Sequence, residues 1–193
     1  MDQHAEEVGL VEQTLRGDQQ SYAQLMQRYA GAVFNVAYRM LGNAQDAEDA
    51  SQEVFLRAYR RLESFDRTRR FSTWLLSIAS NYCIDRLRRQ RWTWLTLDDV
   101  AFTLPSGERG PEGSAIDTEE RDAVQRALMR LPDNYRQITV LRYWHDLSYD
   151  EIAQATGLPE STIKTRLHRA RHKLAEALRG EGVTSEAELS LPS

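Results

Sequence analysis

The 193-residue sequence is poor in the residues that break, cross-link or embed a chain: it has one cysteine, five prolines and ten glycines. The lone thiol, Cys83, has no partner for an internal disulfide, which points to a reducing cytoplasm. Strand-like alternation is scarce as well, so with so little Gly and Pro the reading is all-α. No apolar run approaches the roughly 18 residues of a membrane-crossing helix. The opening "MDQHAEEVGL" is acidic and lacks a positive n-region, so no secretory signal is expected. There is no glycine-rich phosphate loop and no zinc-deaminase signature, which argues against an enzyme acting on nucleic acid. What remains, 41% hydrophobic and 28% charged residues, fits a globular chain of one or two domains.

Charge is more informative by segment than in its total of −4. Residues 57 to 91 hold ten arginines (57, 60, 61, 67, 69, 70, 86, 88, 89 and 91) against three acids. Residues 157 to 179 hold six basic residues, from Lys164 to Arg179. Between them, residues 98 to 122 hold eight acids. A single basic run is most simply a solvated helix face. Two such runs, separated by an acidic stretch, suggest two contacts with a polyanion.

The first half reads as helices. Tyr22, Leu25, Met26, Tyr29, Val33, Val36, Ala37 and Met40 recur at spacings of three and four, as on one long helix or a helix pair. "LGN" at 41–43 is a stop signal. A second helix starts near Ala44, with Asp46, Glu48 and Asp49 at its positive end and Ala47, Ala50, Val54 and Ala58 as its buried stripe. "SFDRTRR" at 64–70 interrupts the pattern. A third helix follows, with Ser72 as its expected N-cap and Leu75, Ile78, Ala79 and Tyr82 facing inward. The stretch 105–114, "PSGERGPEGS", marks a linker. Periodicity resumes with Ala123, Ala127, Leu128 and Leu131, and Pro132 opens a further helix with Tyr135, Ile138 and Leu141 inward. The tail after Gly180 is short and polar.

Near the C-terminus, Ser148 and Glu151 have the spacing of a capping box. Ala153, Gly157 and Ile163 follow at helix-turn-helix spacing: a small residue for close approach, a glycine for the left-handed turn, a branched residue to seat the second helix. Ile163, Leu167, Ala170 and Leu174 form the buried stripe of that second helix, and Pro159 suits its first turn. Its other faces carry Ser161, Lys164, Thr165, His168, Arg169, Arg171 and His172. Such a helix fits the major groove: Lys164 and Thr165 suit base edges, and Arg166, Arg169 and Arg171 suit phosphates. The plain alternative is a helical hairpin with a solvated basic face. His168 and His172 have the spacing of a zinc helix, but the glutamate of H-E-x-x-H is missing, so no metal site is expected.

Four blocks, "GDQQSYAQLMQRY", "YRMLGNAQDAEDASQEVFLRAY", "FSTWLLSIASNYCIDRLRR" and "LPDNYRQITVLRYWHDLSYDEIAQATGLPESTIKTRLHRAR", then settle on one family. In their order and spacing the sequence resembles bacterial RNA polymerase sigma factors of the extracytoplasmic-function class, over nearly its whole length. The resemblance implies an all-α chain of two small domains: a sigma-2 domain over 1–92, a linker over 93–119, a sigma-4 helix-turn-helix domain over 120–180 and a polar tail over 181–193.

It also implies residue roles. Asp49, Gln52, Glu53 and Leu56, on the face opposite the alanine stripe, match the segment that grips the β′ clamp helices of core polymerase. Arg69, Arg70, Phe71, Trp74, Asn81, Arg86, Arg88 and Arg89 match the element that opens the −10 region, where a flipped base would lie near Asn81. Phe65, Phe71 and Trp74 offer stacking rings, with Trp74 assigned either to base contact or to the core. Ser161, Lys164, Thr165, Arg166, His168, Arg169 and Arg171 match the −35 reader, which in this family favours an AAC-like element. His168 stands where the family often has an apolar or aromatic residue.

The implied partners are core polymerase (β′ clamp helices and β flap), promoter DNA and an anti-sigma factor, often membrane-anchored. No cofactor, metal or small-molecule substrate is implied, and a free monomer in the cytoplasm, on the nucleoid or held at the membrane, is expected. A linker of 27 residues could extend about 90 Å, enough for two promoter elements roughly 70 Å apart. Its acids, Asp98, Asp99, Glu108 and Glu112, would mimic nucleic acid and weaken free binding to DNA. The competing function is a stand-alone, usually dimeric, helix-turn-helix regulator, which would bind its operator tightly without polymerase.

Overall fold

The computed structural model describes residues 3–96 and 115–180, except for the side chains of 93–96 and 115–120. Within them the chain is all-α, as the sequence predicts. The helices are α1 (Gln3–Leu15), α2 (Gln19–Leu41), α3 (Ala44–Arg60), α4 (Phe71–Thr96), α5 (Ala115–Met129), α6 (Asp133–Tyr143), α7 (Tyr149–Thr156) and α8 (Glu160–Gly180), with a short 3-10 turn at Leu62–Ser64. Helix α4 thus runs on to Thr96 and α5 starts at Ala115. The acids Asp98, Asp99, Glu108 and Glu112 and the polar tail lie outside the described residues.

The Tyr22–Met40 periodicity belongs to one helix, α2, closed by Gly42 at φ 90°. Its buried face holds Leu25, Val33, Val36 and Met40. Met26, expected on that face, is substantially exposed, because it lies at the edge of the apolar arc. Asn43 caps α3 by accepting the Asp46 amide at 2.8 Å, and Ala47, Ala50, Val54 and Ala58 are buried as predicted. Small side chains there let α3 lie close along α2 and α4. Helix α4 starts two residues earlier than a cap at Ser72 would place it: Phe71 is already helical, so Ser72 lies in the first turn and is not the cap. Leu75 and Ala79 are buried, and Ile78 and Tyr82 are partly so.

Helix α1 carries no strong periodic signal, yet it docks on α2 through Leu10 and Val11. Glu7, only 3% exposed, accepts a hydrogen bond from the Tyr29 hydroxyl and another from Gln3. A carboxylate is thereby held inside the helix pair with its oxygen satisfied.

The second half is a compact group of four helices. Ser148 and Glu151 form the reciprocal capping box of α7, and Gly157 ends α7 at φ 71°. Ile163, Leu167, Ala170 and Leu174 are buried, as their spacing predicts.

The two halves share one hydrophobic core. Met129 of α5 lies where a Cβ on Gly42 would be, at 2.9 Å, so this glycine serves both the turn and the close approach. Arg136, at 4% exposure, reaches across from α6. Its guanidinium donates to the carbonyls of Leu128, Met129 and Leu131, each at 3.1 Å, and to that of Met40 at the end of α2. Two helix C-termini, with their unpaired carbonyls and negative dipole ends, converge on one cation. Burial lowers the Arg136 pKa to about 10, so it stays charged at neutral pH.

Candidate functional site

Three surfaces emerge. The first is the outer face of α3. Asp49, Gln52 and Leu56 are exposed there, Leu56 at 53%, and Glu53 is half-buried beside them. The alanine stripe turns α3 inward, and this face is what remains. Arg57 donates to Glu53 at 2.7 Å and lies over the Tyr82 ring at 4.6 Å. That hydrogen bond holds the Glu53 carboxyl below its ordinary range. The result is an acidic and amide surface with one large apolar side chain at its centre, suited to a partner with basic and apolar groups.

The second surface is a cleft of about 350 Å³ between the 64–70 loop and α4, lined by Phe65, Asp66, Arg69, Thr73, Trp74 and Ser77. Asp66 shapes the loop by accepting from the Thr68 amide and hydroxyl, at 3.0 and 2.7 Å. Phe65, Phe71 and Trp74 form a triangle with ring centroids 5.3 to 5.5 Å apart. Phe71 is 1% exposed, so it is a floor under the cleft and not the stacking platform expected from sequence. Phe65 is buried too. Trp74 is partly exposed: it packs on the core and its remaining surface lines the cleft.

Arg69 and Arg70 are exposed on the same loop. Arg86 departs from expectation: it pairs with Asp46 at the start of α3 and ties α4 to α3, because its position on α4 faces α3 and not the cleft. Arg88 and Arg89 are exposed further along α4.

The third surface is α8. Ser161, Lys164, Thr165, His168, Arg169 and Arg171 are exposed, and Arg166 is half-buried. Thr165 donates back to the Ser161 carbonyl at 2.9 Å, and Lys164 pairs with Glu160 at 3.5 Å. The His168 and His172 rings meet edge to face at 4.7 Å. Among the described residues no group of three potential metal ligands occurs, and no helix is long and apolar enough to cross a membrane.

Sequence reasoning missed His145, in the turn between α6 and α7. Its Nε2 is buried without a hydrogen-bond partner, and its neighbour Trp144 lies under the Arg39 guanidinium at 4.2 Å. Burial, helped by the nearby Arg39 charge, pushes the His145 pKa down to about 4, against a smaller opposing effect of Asp146. The native state thus holds His145 neutral, whereas the unfolded chain takes up a proton below about pH 6.5. Stability from this group is fully present above that pH and is lost as pH falls toward 4. The loss is up to about 3 kcal/mol, at about 1.4 kcal/mol per pKa unit. Urea titrations between pH 4 and 7 should show this slope, and His145→Gln should flatten it; an unchanged slope in the variant would refute the assignment.

The arrangement matches one family. The sequence model described as Sigma-70 region 2 matches residues 25–93, and that described as Sigma-70, region 4 matches residues 121–174. The chain is 38% identical over 177 residues to the ECF RNA polymerase sigma factor SigW of Bacillus subtilis, covering 88% of this chain and 95% of that protein. It is 33% identical to the RNA polymerase sigma-H factor of Pseudomonas aeruginosa, covering 88% and 92%. Among solved structures, CnrH, determined in complex with the cytosolic domain of CnrY, aligns with a TM-score of 0.63 at 27% identity over 91% of this chain and 98% of that one. RpoE of Bartonella quintana, solved with the anti-sigma factor NepR, shares the fold at a TM-score of 0.69 and 24% identity, over 82% and 96%. The chain belongs to the extracytoplasmic-function sigma factors of RNA polymerase. It is a transcription initiation factor and not an enzyme.

Proposed function

We propose that the three surfaces divide the work of promoter recognition. Asp49, Gln52, Glu53 and Leu56 on α3 grip the β′ clamp helices of core polymerase. The cleft of Trp74, with Asn81, Arg69 and Arg70, captures the unpaired strand of the −10 element, and Arg88 and Arg89 approach its backbone. The exposed face of α8 reads the −35 element, Lys164, Thr165 and His168 at base edges and Ser161, Arg166, Arg169 and Arg171 at phosphates.

The observation that carries this reading is the exposure of α3's acidic, Leu56-centred face on a helix otherwise buried by small residues. Its acids repel DNA, so the face suits a protein partner carrying basic and apolar groups. The protein acts in the cytoplasm, moving to the nucleoid with polymerase. Regulation is by an anti-sigma protein, and the relative CnrH, solved with a bound polypeptide, supports that part. The sequence segments 1–92, 93–119 and 120–180 serve as the core-binding, connecting and −35 modules.

Gel filtration with bacterial core polymerase tests the proposal. The wild type should co-elute with core, and an Asp49/Gln52/Glu53 triple alanine variant, which removes two exposed side chains and the half-buried Glu53 with its bond to Arg57, should elute alone while keeping its helical circular dichroism. A wild type that stays apart from polymerase yet binds a duplex operator tightly would replace this reading with the regulator.

A further inference from the structure

Side chains from α6, α7 and α8 meet beside the edge of α8 assigned to base reading. Tyr149 is the first residue of α7, set in place by the Ser148–Glu151 capping box, and it is exposed. The Lys164 ammonium of α8 lies 5.4 Å from the Tyr149 ring centroid, and the Arg142 guanidinium of α6 lies at the same distance. Both are within the roughly 6 Å over which a ring face attracts a cation. Arg142 is itself held, since it donates to the Leu147 carbonyl, in the turn before α7, at 3.2 Å.

The ring matters because Lys164 is otherwise a loose reader. Its side chain is 57% exposed, and its ion pair with Glu160 joins two solvated groups on the same helix at 3.5 Å. Such a pair is weak and is screened by salt. An ammonium is a point charge on a long flexible stem, without the planar fork of a guanidinium, so it discriminates between bases only when its position is fixed. A rigid ring on a neighbouring helix supplies that fixed point, and its attraction grows when DNA displaces water from around it. Helix α8 begins at Glu160, so Lys164 lies near the N-terminal end, where a recognition helix meets base edges.

We propose that Tyr149 is a positioning residue for −35 readout: its ring holds the Lys164 ammonium in line with one base pair, and that pair carries guanine. Guanine follows from the chemistry of the donor, because lysine finds the O6 and N7 acceptors on the major-groove edge of that base. The inference rests on the assignment of α8 to −35 reading. Tyr149 acts through Lys164 and reads no base itself, and the Arg142 guanidinium steadies the ring from α6.

The test is a double-mutant cycle with the full chain bound to core polymerase. The probe is a duplex pool randomised over about eight consecutive base pairs, and sequencing of the bound and unbound fractions gives the preference at each position. Lys164→Ala locates the base pair that the ammonium reads, as the position where a guanine preference disappears. Tyr149→Leu, which keeps apolar bulk at an exposed site, should lower discrimination at that same base pair by about two- to fivefold, the worth of an exposed cation–π contact, and leave the other positions unchanged. Tyr149→Phe keeps the ring and should restore the wild-type preference. With Lys164→Ala already present, Tyr149→Leu should add nothing.

Equal weakening at every position would make Tyr149 a backbone contact or a strut and would overturn the inference. So would a loss at the Lys164 position that persists in the Lys164→Ala background, or no loss at all. If Lys164→Ala leaves every preference intact, the assignment of Lys164 to base reading falls and the positioning role falls with it. A clear effect of Lys164→Ala beside a silent Tyr149→Leu strikes only the positioning role and leaves the −35 reading standing.

Discussion

Arg136→Ala should destabilise the protein by about 3–4 kcal/mol, because one truncation strips a charged donor from several buried carbonyls. The guanidinium serves Leu128, Met129 and Leu131 from its own half and Met40 from the other, with Asp133 at 3.4 Å beside it. Without it the C-terminal carbonyls of α5 and α2 face each other in a dry site. Water entering the gap would recover part of the loss, which is why the estimate stays below the sum of the separate bonds. Arg136→Lys should recover less than half of the stability, since a point-like ammonium cannot span the fork that meets these carbonyls. Urea midpoints at pH 7 measure both. A loss under about 1 kcal/mol for the alanine variant would show that the guanidinium merely fills space.

The second large effect separates neighbouring aromatics. Phe71→Ala should cost about 3–5 kcal/mol, the range for a fully buried ring removed from a packed core. Its neighbours Tyr29, Phe65 and Trp74 would be left around a cavity. Trp74→Ala should cost clearly less stability, because part of its ring faces the cleft. It should instead weaken capture of −10 single strand by the polymerase complex by roughly 5- to 150-fold, the equivalent of about 1–3 kcal/mol of stacking. Denaturation curves and binding of a fluorescent −10 strand to the complex give the two readouts. Equal stability losses with unchanged strand binding for Trp74→Ala would assign its ring to the core alone.

Sequence signals were strongest where the controlling interaction is local. Ser148 with Glu151, Gly157, and the Ile163–Leu174 stripe each act within a turn or two, and all three are present as the spacing predicts. The alanine stripe of α3 was equally legible, and with it the opposite face. Long-range pairings were not legible. Arg86 reads as one more basic residue until Asp46 is seen beside it. Glu7 and Arg136 carry charges that periodicity places outside, and both are buried because distant partners satisfy them. Ser72 illustrates a near miss: a good cap residue was overridden because burial of Phe71 draws the helix start back by two residues. The contact of α6 and α7 with α4 left no mark in any of these segments, since Gln137 and Asn81 are ordinary amides until they meet, with Asn81 also donating to the Ala155 carbonyl.

Cys83 sits on the inner side of α4, fully buried, and burial pushes its thiol up to about 12. A thiol in that state presents almost no thiolate to reagents at neutral pH. It therefore acts as a built-in clock for the central helix. The rate at which a maleimide or disulfide reagent consumes it counts how often α4 comes loose, against a background near zero. Cysteines introduced on the surface would be modified long before it, so dyes can be attached selectively with the natural residue left in place.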